Sequence, residues 1–152
     1  MNFILTFLAL IPFYLIGAFP TGMMLAKSQG IDITKKGSGN VGATNIARVI
    51  GKKAGIITLL VDVSKGLIGS LIASLFADSY FVPLAGVILV AGHCFSLPPK
   101  LKGGKGVATA LGVMLFINYT AALTGIGTFI IAFSIWRIVS LASLAGALIV
   151  PP

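Results

Sequence analysis

Divided by apolar and polar positions alone, the chain falls into six apolar stretches, near residues 3–25, 54–77, 80–96, 106–118, 120–136 and 138–150. A helix that crosses a bilayer needs about 20 predominantly apolar residues. The longer stretches are predicted spans, and the shorter ones are predicted to tilt or insert in part. No Lys or Arg precedes the first stretch. A cleaved secretory leader begins with basic residues, so this stretch is expected to be a retained span. The expected fold class is all-α, a polytopic integral membrane helix bundle of about six spans. One domain over residues 1–152 is expected, because no internal repeat, low-complexity tract or linker interrupts it.

The polar connectors alternate in charge. Lys27, Lys35, Lys36, Arg48, Lys52 and Lys53 lie between the first two stretches. Lys100, Lys102 and Lys105 lie between the third and fourth, and Arg137 between the fifth and sixth. The connectors around Asp78 and Asn118 carry no cation. Cytoplasmic loops of membrane proteins are enriched in Lys and Arg. The basic connectors are therefore expected in the cytoplasm and the N-terminus outside, with a bacterial cytoplasmic (inner) membrane as the location.

Composition strengthens this picture. Hydrophobic residues make up 57% of the chain and charged residues 9%, against about 25% charged in an ordinary soluble domain. Lys and Arg number 11 against 3 acidic residues. Such a surplus suits nucleic acid in a soluble protein, but a mean hydropathy of +1.09 excludes that class. Anionic head groups or an anionic substrate fit better, and no nucleic-acid partner is expected. The single Cys94 excludes an internal disulfide, and one His with three Asp residues leaves little for a metal. No metal and no cofactor are expected.

Two connectors carry candidate chemistry. The first reads Gly37-Ser38-Gly39-Asn40-Val41-Gly42-Ala43-Thr44-Asn45, followed by Arg48. The second reads Lys102-Gly103-Gly104-Lys105-Gly106-Val107-Ala108-Thr109. Glycine allows backbone N–H groups to approach an oxyanion closely. Hydroxyls and amides add directional bonds, and Arg can grip a phosphate through two parallel ones. A helix starting soon after each loop would favour an anion at its N-terminus. The pattern points to a phosphate site at the cytoplasmic interface. It is not a nucleotide-hydrolysing P-loop, which needs Lys before the Ser/Thr, where Ala43 stands. Lys27, Lys35, Lys36, Lys52, Lys53 and Lys100 read instead as cations facing lipid head groups.

Within the spans, Asp62 and Lys65 are spaced i, i+3 and share a helix face. Ionisable groups at membrane depth are functional candidates, and their mutual pairing is the structural alternative. His93, at the cytoplasmic end of the third stretch, reads first as a hydrogen-bonded helix-end residue. Cys94 reads as packing and Trp136 as an interfacial anchor. Ser140 and Ser143 share a face just beyond Arg137.

The ordered set GSGNVGATN, DVSKG, GHCFSLPPKLKGGKGVAT and RIVSLAS resembles the bacterial acyl-phosphate:glycerol-3-phosphate acyltransferases. The resemblance implies transfer of an acyl chain from acyl phosphate to glycerol 3-phosphate, giving lysophosphatidic acid and phosphate. This is the first acylation of phospholipid synthesis, without coenzyme A or acyl carrier protein as direct donor. It implies catalytic roles for Ser38, Arg48, Lys105 and Ser143. It implies substrate binding by Gly37, Gly39, Asn40, Gly42, Thr44, Asn45, His93, Lys102, Gly103, Gly104 and Gly106. Asp62, Lys65, Arg137 and Ser140 are expected to support the site. The bilayer is one partner, and a candidate second is the enzyme that makes acyl phosphate. The family's seventh span with its His-Arg-x-Asn motif is not found in residues 1–152, so the expectation is a C-terminally incomplete chain. The alternatives are a small transporter or channel for organic phosphates and an inactive shortened relative. In a Cys94→Ala background, Lys36→Cys and Lys105→Cys should each react with a membrane-impermeant thiol reagent from the same, cytoplasmic face. Reaction from opposite faces would exclude a shared site.

Overall fold

The computed structural model describes residues 3–75, 80–96 and 103–149, with side chains from residue 5 onward. All regular structure among these residues is helical. In chain order it comprises α1 (Phe3–Gly17), α2 (Thr21–Lys27), a 3₁₀ turn (Ile33–Lys35), α3 (Ala43–Val49), α4 (Lys52–Ser74), α5 (Phe81–Cys94), α6 (Val107–Ile117), α7 (Tyr119–Trp136) and α8 (Val139–Leu148). The six apolar stretches appear in the expected order. The segments Leu5–Lys27, Lys52–Ser74 and Tyr119–Trp136, of 23, 23 and 18 residues, are long and apolar enough to cross a membrane. With 14, 11 and 10 residues, α5, α6 and α8 fall short of a straight crossing.

The inside-out distribution of residue types identifies the solvent as lipid. The buried residues of α4 are Gly55, Thr58, Asp62, Lys65, Gly66, Gly69, Ser70 and Ala73, recurring at helical spacing and including no large aliphatic. Its large apolar residues, among them Leu60, Ile68 and Leu71, point outward, as do Ile130, Ile131 and Ile135 of α7. A water-soluble helix does the reverse. Without a hydrophobic drive between helices in lipid, small residues that let backbones touch provide the packing. Here α4 sits centrally against α6, α5, α3 and α2, while α1 packs on α5 and α7 lies between α6 and α8. A methyl on Gly66 would strike the Thr109 carbonyl, and one on Gly112 the Val63 carbonyl. Across the other contact, Gly17 lies on the Leu89 carbonyl and Gly92 on the Tyr14 carbonyl.

The first stretch departs from the single helix expected of it. It breaks at Ala18–Pro20, and α2 starts with Pro20 as its N-cap. Proline lacks an N–H and disfavours helical backbone at the residue before it. The Phe19 carbonyl accepts from the Thr21 N–H at 3.2 Å, and other elements add to the bonding at the break. Ser96 Oγ donates to the Ala18 carbonyl at 3.1 Å, and Lys65 Nζ to the Phe19 carbonyl at 3.3 Å. The Tyr14 hydroxyl donates to the Phe95 carbonyl, which ties the end of α1 to the end of α5. The other proline, Pro12, lies inside α1 without ending it, as neighbouring helices in a membrane permit.

The midpoint of α4 is level with the end of α5. Lys65 meets His93 in the last turn of α5, so the first 10 residues of α4, roughly 15 Å of helix, extend past that end. This projecting part carries Gly55, packed on Ala47 and the Ala43 carbonyl of α3, and Ala54, which lies against a small apolar core of Met23, Ala26, Ile33, Val41 and Ile46. The first basic connector is thus a folded cap with its own core.

Gly112→Val should lower the unfolding temperature of the detergent-solubilised protein, at a cost of about 1–3 kcal/mol for overpacking. Gly127→Ala is the control. Nothing lies within 4 Å of a methyl there, and Ala is the better helix former by about 1 kcal/mol, so stability should hold or rise.

Candidate active site

Backbone turns and one buried amide shape the first glycine loop. Gly37 and Gly39 have φ of +57° and +70°, a region that costs other residues energy. A side chain at Gly37 would also collide with Asn45 Oδ1. Asn45, buried in the first turn of α3, accepts from the Ser38 N–H at 2.9 Å and donates to the carbonyls of Lys36 at 3.0 Å and Asn40 at 2.9 Å. Asn40 Oδ1 accepts from the Gly42 N–H at 2.8 Å, and the Gly39 N–H donates to the Lys36 carbonyl at 3.0 Å. These N–H groups are therefore engaged within the loop. Its glycines make the turns.

Before the loop, Asp32 caps the 3₁₀ turn. It accepts from the Thr34 N–H at 3.1 Å and the Thr34 hydroxyl at 2.7 Å, with Lys35 Nζ at 3.5 Å. The Thr34 hydroxyl bond, above all, holds its carboxyl below the usual range. The one carboxylate of this connector thus stays charged and occupied beside the basic groups.

The second loop folds back on α5. The Gly104 N–H donates to the His93 carbonyl at 3.1 Å, and a methyl at Gly104 would run into His93 Nε2. Gly106, at φ +76°, starts α6. The loops meet in an open cleft of about 410 Å³, lined by Thr34, Lys35, Gly37, Ser38, Gly39, Asn40 and Gly103.

This cleft unites part of the set predicted from sequence: Gly37, Ser38, Gly39 and Asn40 from the first loop with Gly103 from the second. Gly42, Thr44 and Asn45 stand just behind, at the start of α3, with Thr44 exposed. Arg48 is exposed on the last turn of α3, rather than in a loop, and Lys105 is exposed one residue before Gly106. Neither is among the described residues that line the cleft. Ser143 is half-buried on α8 and donates to the Val139 carbonyl at 2.8 Å, while Ser140 and Arg137 are exposed. Lys102 lies outside the described residues. Asp62 and Lys65 form the expected pair, at 2.8 Å, with both side chains buried. His93 Nδ1 is 2.8 Å from Lys65 Nζ, the helix-end role read from sequence. These buried ionic groups face one another. Thr34 and Lys35 were not expected in the cleft. The Asp-x-Thr turn that places them was the available signal.

Fold and cleft together define a polytopic helical membrane protein with a polar site at one end of its bundle. The chain belongs to the glycerol-3-phosphate acyltransferase family, whose profile matches residues 7–152. It is 45% identical over 139 residues to the glycerol-3-phosphate acyltransferase of Geotalea daltonii, covering 91% of this chain and 72% of that one. It is 45% identical over 141 residues to that of Trichlorobacter lovleyi, with the same shares covered. Crystal structures of PlsY, an integral membrane glycerol 3-phosphate acyltransferase, superpose in the glycerol 3-phosphate form with a TM-score of 0.88 and in the lysophosphatidic acid form with 0.85. Each is 39% identical and covers 94% of this chain and 72% of its own. The chain is thus an acyltransferase of the membrane.

Asn45→Ala should leave the Ser38 N–H and two carbonyls without partners, a cost of roughly 1–3 kcal/mol to the loop. Acyltransferase activity should fall by about tenfold or more, with helix content unchanged by circular dichroism. Asn45→Asp, which keeps the acceptor and loses both donors, should not restore it.

Proposed function

We propose that this protein transfers an acyl chain from acyl phosphate to glycerol 3-phosphate, releasing lysophosphatidic acid and inorganic phosphate. The observation that carries the reading is the convergence of two basic glycine loops on one cleft at one end of a lipid-facing bundle. Both proposed substrates bear phosphate, which suits this charge. The family relationship supports the acceptor and the product, and the donor is what the resemblance of the motifs implies.

In the reaction, the primary hydroxyl of glycerol 3-phosphate attacks the acyl carbonyl carbon. The new ester C–O bond forms, the bond from the acyl carbon to the phosphate oxygen breaks, and the leaving phosphate takes the hydroxyl proton. Among the described residues no Ser-His-Asp arrangement calls for an acyl-enzyme. Ser38 offers its hydroxyl in the cleft while its N–H is held by Asn45. Arg48 and Lys105 supply positive charge for the phosphates and Ser143 a further hydroxyl. Alignment of the two reactants is the main source of acceleration, since well-held geometry contributes roughly 7–11 kcal/mol in intramolecular systems. The apolar outer faces of the helices let the acyl tail enter from the bilayer. The alternation of basic connectors supports a cleft on the cytoplasmic side of a bacterial inner membrane, with the N-terminus outside.

Membranes bearing the intact protein, supplied with acyl phosphate and radiolabelled glycerol 3-phosphate, should form lysophosphatidate. Arg48→Ala should lower the rate by about a hundredfold, on the order of 3 kcal/mol of charge stabilisation, while the protein stays in the membrane. Near-normal turnover would remove Arg48 from this role, and product from an acyl thioester but not from acyl phosphate would overturn the donor.

A further inference from the structure

Behind the cleft lies a buried ionic group outside the steps above. An ammonium has three donors, and Lys65 Nζ has three acceptors around it: Asp62 Oδ1 at 2.8 Å, His93 Nδ1 at 2.8 Å and the Phe19 carbonyl at 3.3 Å. They belong to α4, to α5 and to the break between α1 and α2. With Lys65 donating, Nδ1 is the acceptor and the ring proton sits on Nε2. Nε2 is the atom that a methyl on Gly104 would strike, and Gly104 bonds back to the His93 carbonyl. Gly103 lines the open cleft with Ser38 and also a small internal cavity with Asp62 and His93. Among the described residues, Gly103 is the one that lines both.

We infer that Asp62 and Lys65 are positioning residues, which lock the His93 ring so that it sets the place of Gly103–Gly104 and hence the shape of the phosphate cleft. This rests on the cleft's being the phosphate site. In this role the three residues act through the loop. An apolar pair of similar volume would fill the space as well. Replacing a buried ion pair in this way is often neutral or stabilising, so stability alone does not call for charges here.

The test is the intact protein with Asp62→Leu and Lys65→Met together. Its unfolding temperature should match or exceed that of the wild type. The KM for a phosphate substrate should rise by about tenfold or more, as expected of a misplaced binding loop, with kcat less affected. The stabilisation by added glycerol 3-phosphate, seen as a rise in unfolding temperature, should shrink accordingly. A folded double variant with wild-type KM values and wild-type ligand stabilisation would overturn the proposal. Should that variant not fold, Asp62→Asn with Lys65→Met is closer in shape and is judged by the same readouts. Asp62→Asn alone keeps an acceptor for Lys65 and should restore KM to within about threefold of wild type. A full loss there at unchanged unfolding temperature would make the carboxylate charge, rather than placement, the agent and overturn the positioning role. Glycerol 3-phosphate stabilisation needs no acyl donor, so it reports on the cluster even if the donor assignment fails.

Discussion

Backbone-to-backbone contact through glycine underlies the whole arrangement. In lipid there is no hydrophobic force to press helices together, so α4 and α6, and α1 and α5, rely on Gly66, Gly112, Gly17 and Gly92 to bring main chains into touch. That closeness makes the two contacts rigid, and it fixes where the connectors emerge. The end of α5, the break after α1 and the middle of α4 arrive at one level, and the cleft forms there. Larger residues at the four positions would separate the helices before any loop chemistry could be considered.

The two loops solve different problems. The first is closed by its own side chains, with Asn45 holding both limbs and Asn40 the next turn. Its rigidity comes from hydrogen bonds internal to the cap and from the apolar core beneath it. The second loop has a short described stretch and leans on the carbonyl end of α5. Rigid first wall and borrowed second wall together make an opening that basic side chains can approach from the aqueous side.

Much of this was legible in the chain. The bundle was visible because a lipid solvent leaves long apolar runs, and the meeting of the loops because their cations fall on alternate connectors. The glycine motifs marked the cleft, and the i, i+3 spacing of Asp62 and Lys65 gave their pairing. Less visible were features that depend on tertiary position. Pro20 signals a turn, but the arrival of Lys65 and Ser96 at the break is a tertiary feature. Asn45 appears polar and available, yet its burial turns it inward to the loop. Arg48 falls on a short helix because Gly42 starts α3 earlier than the motif suggests. The depth of Asp62 follows from the projection of α4 beyond α5, which no local pattern encodes.

The break in the first span also bears on biogenesis. As the nascent chain enters the membrane, the Ala18 and Phe19 carbonyls precede their partners by 78 and 46 residues. Until α4 and α5 arrive, the Ala18 carbonyl lacks the Ser96 hydroxyl and the Phe19 carbonyl keeps only the local Thr21 N–H, at 3.2 Å. The full hydrogen bonding of the break therefore comes late in synthesis, with residues beyond the third span completing the first.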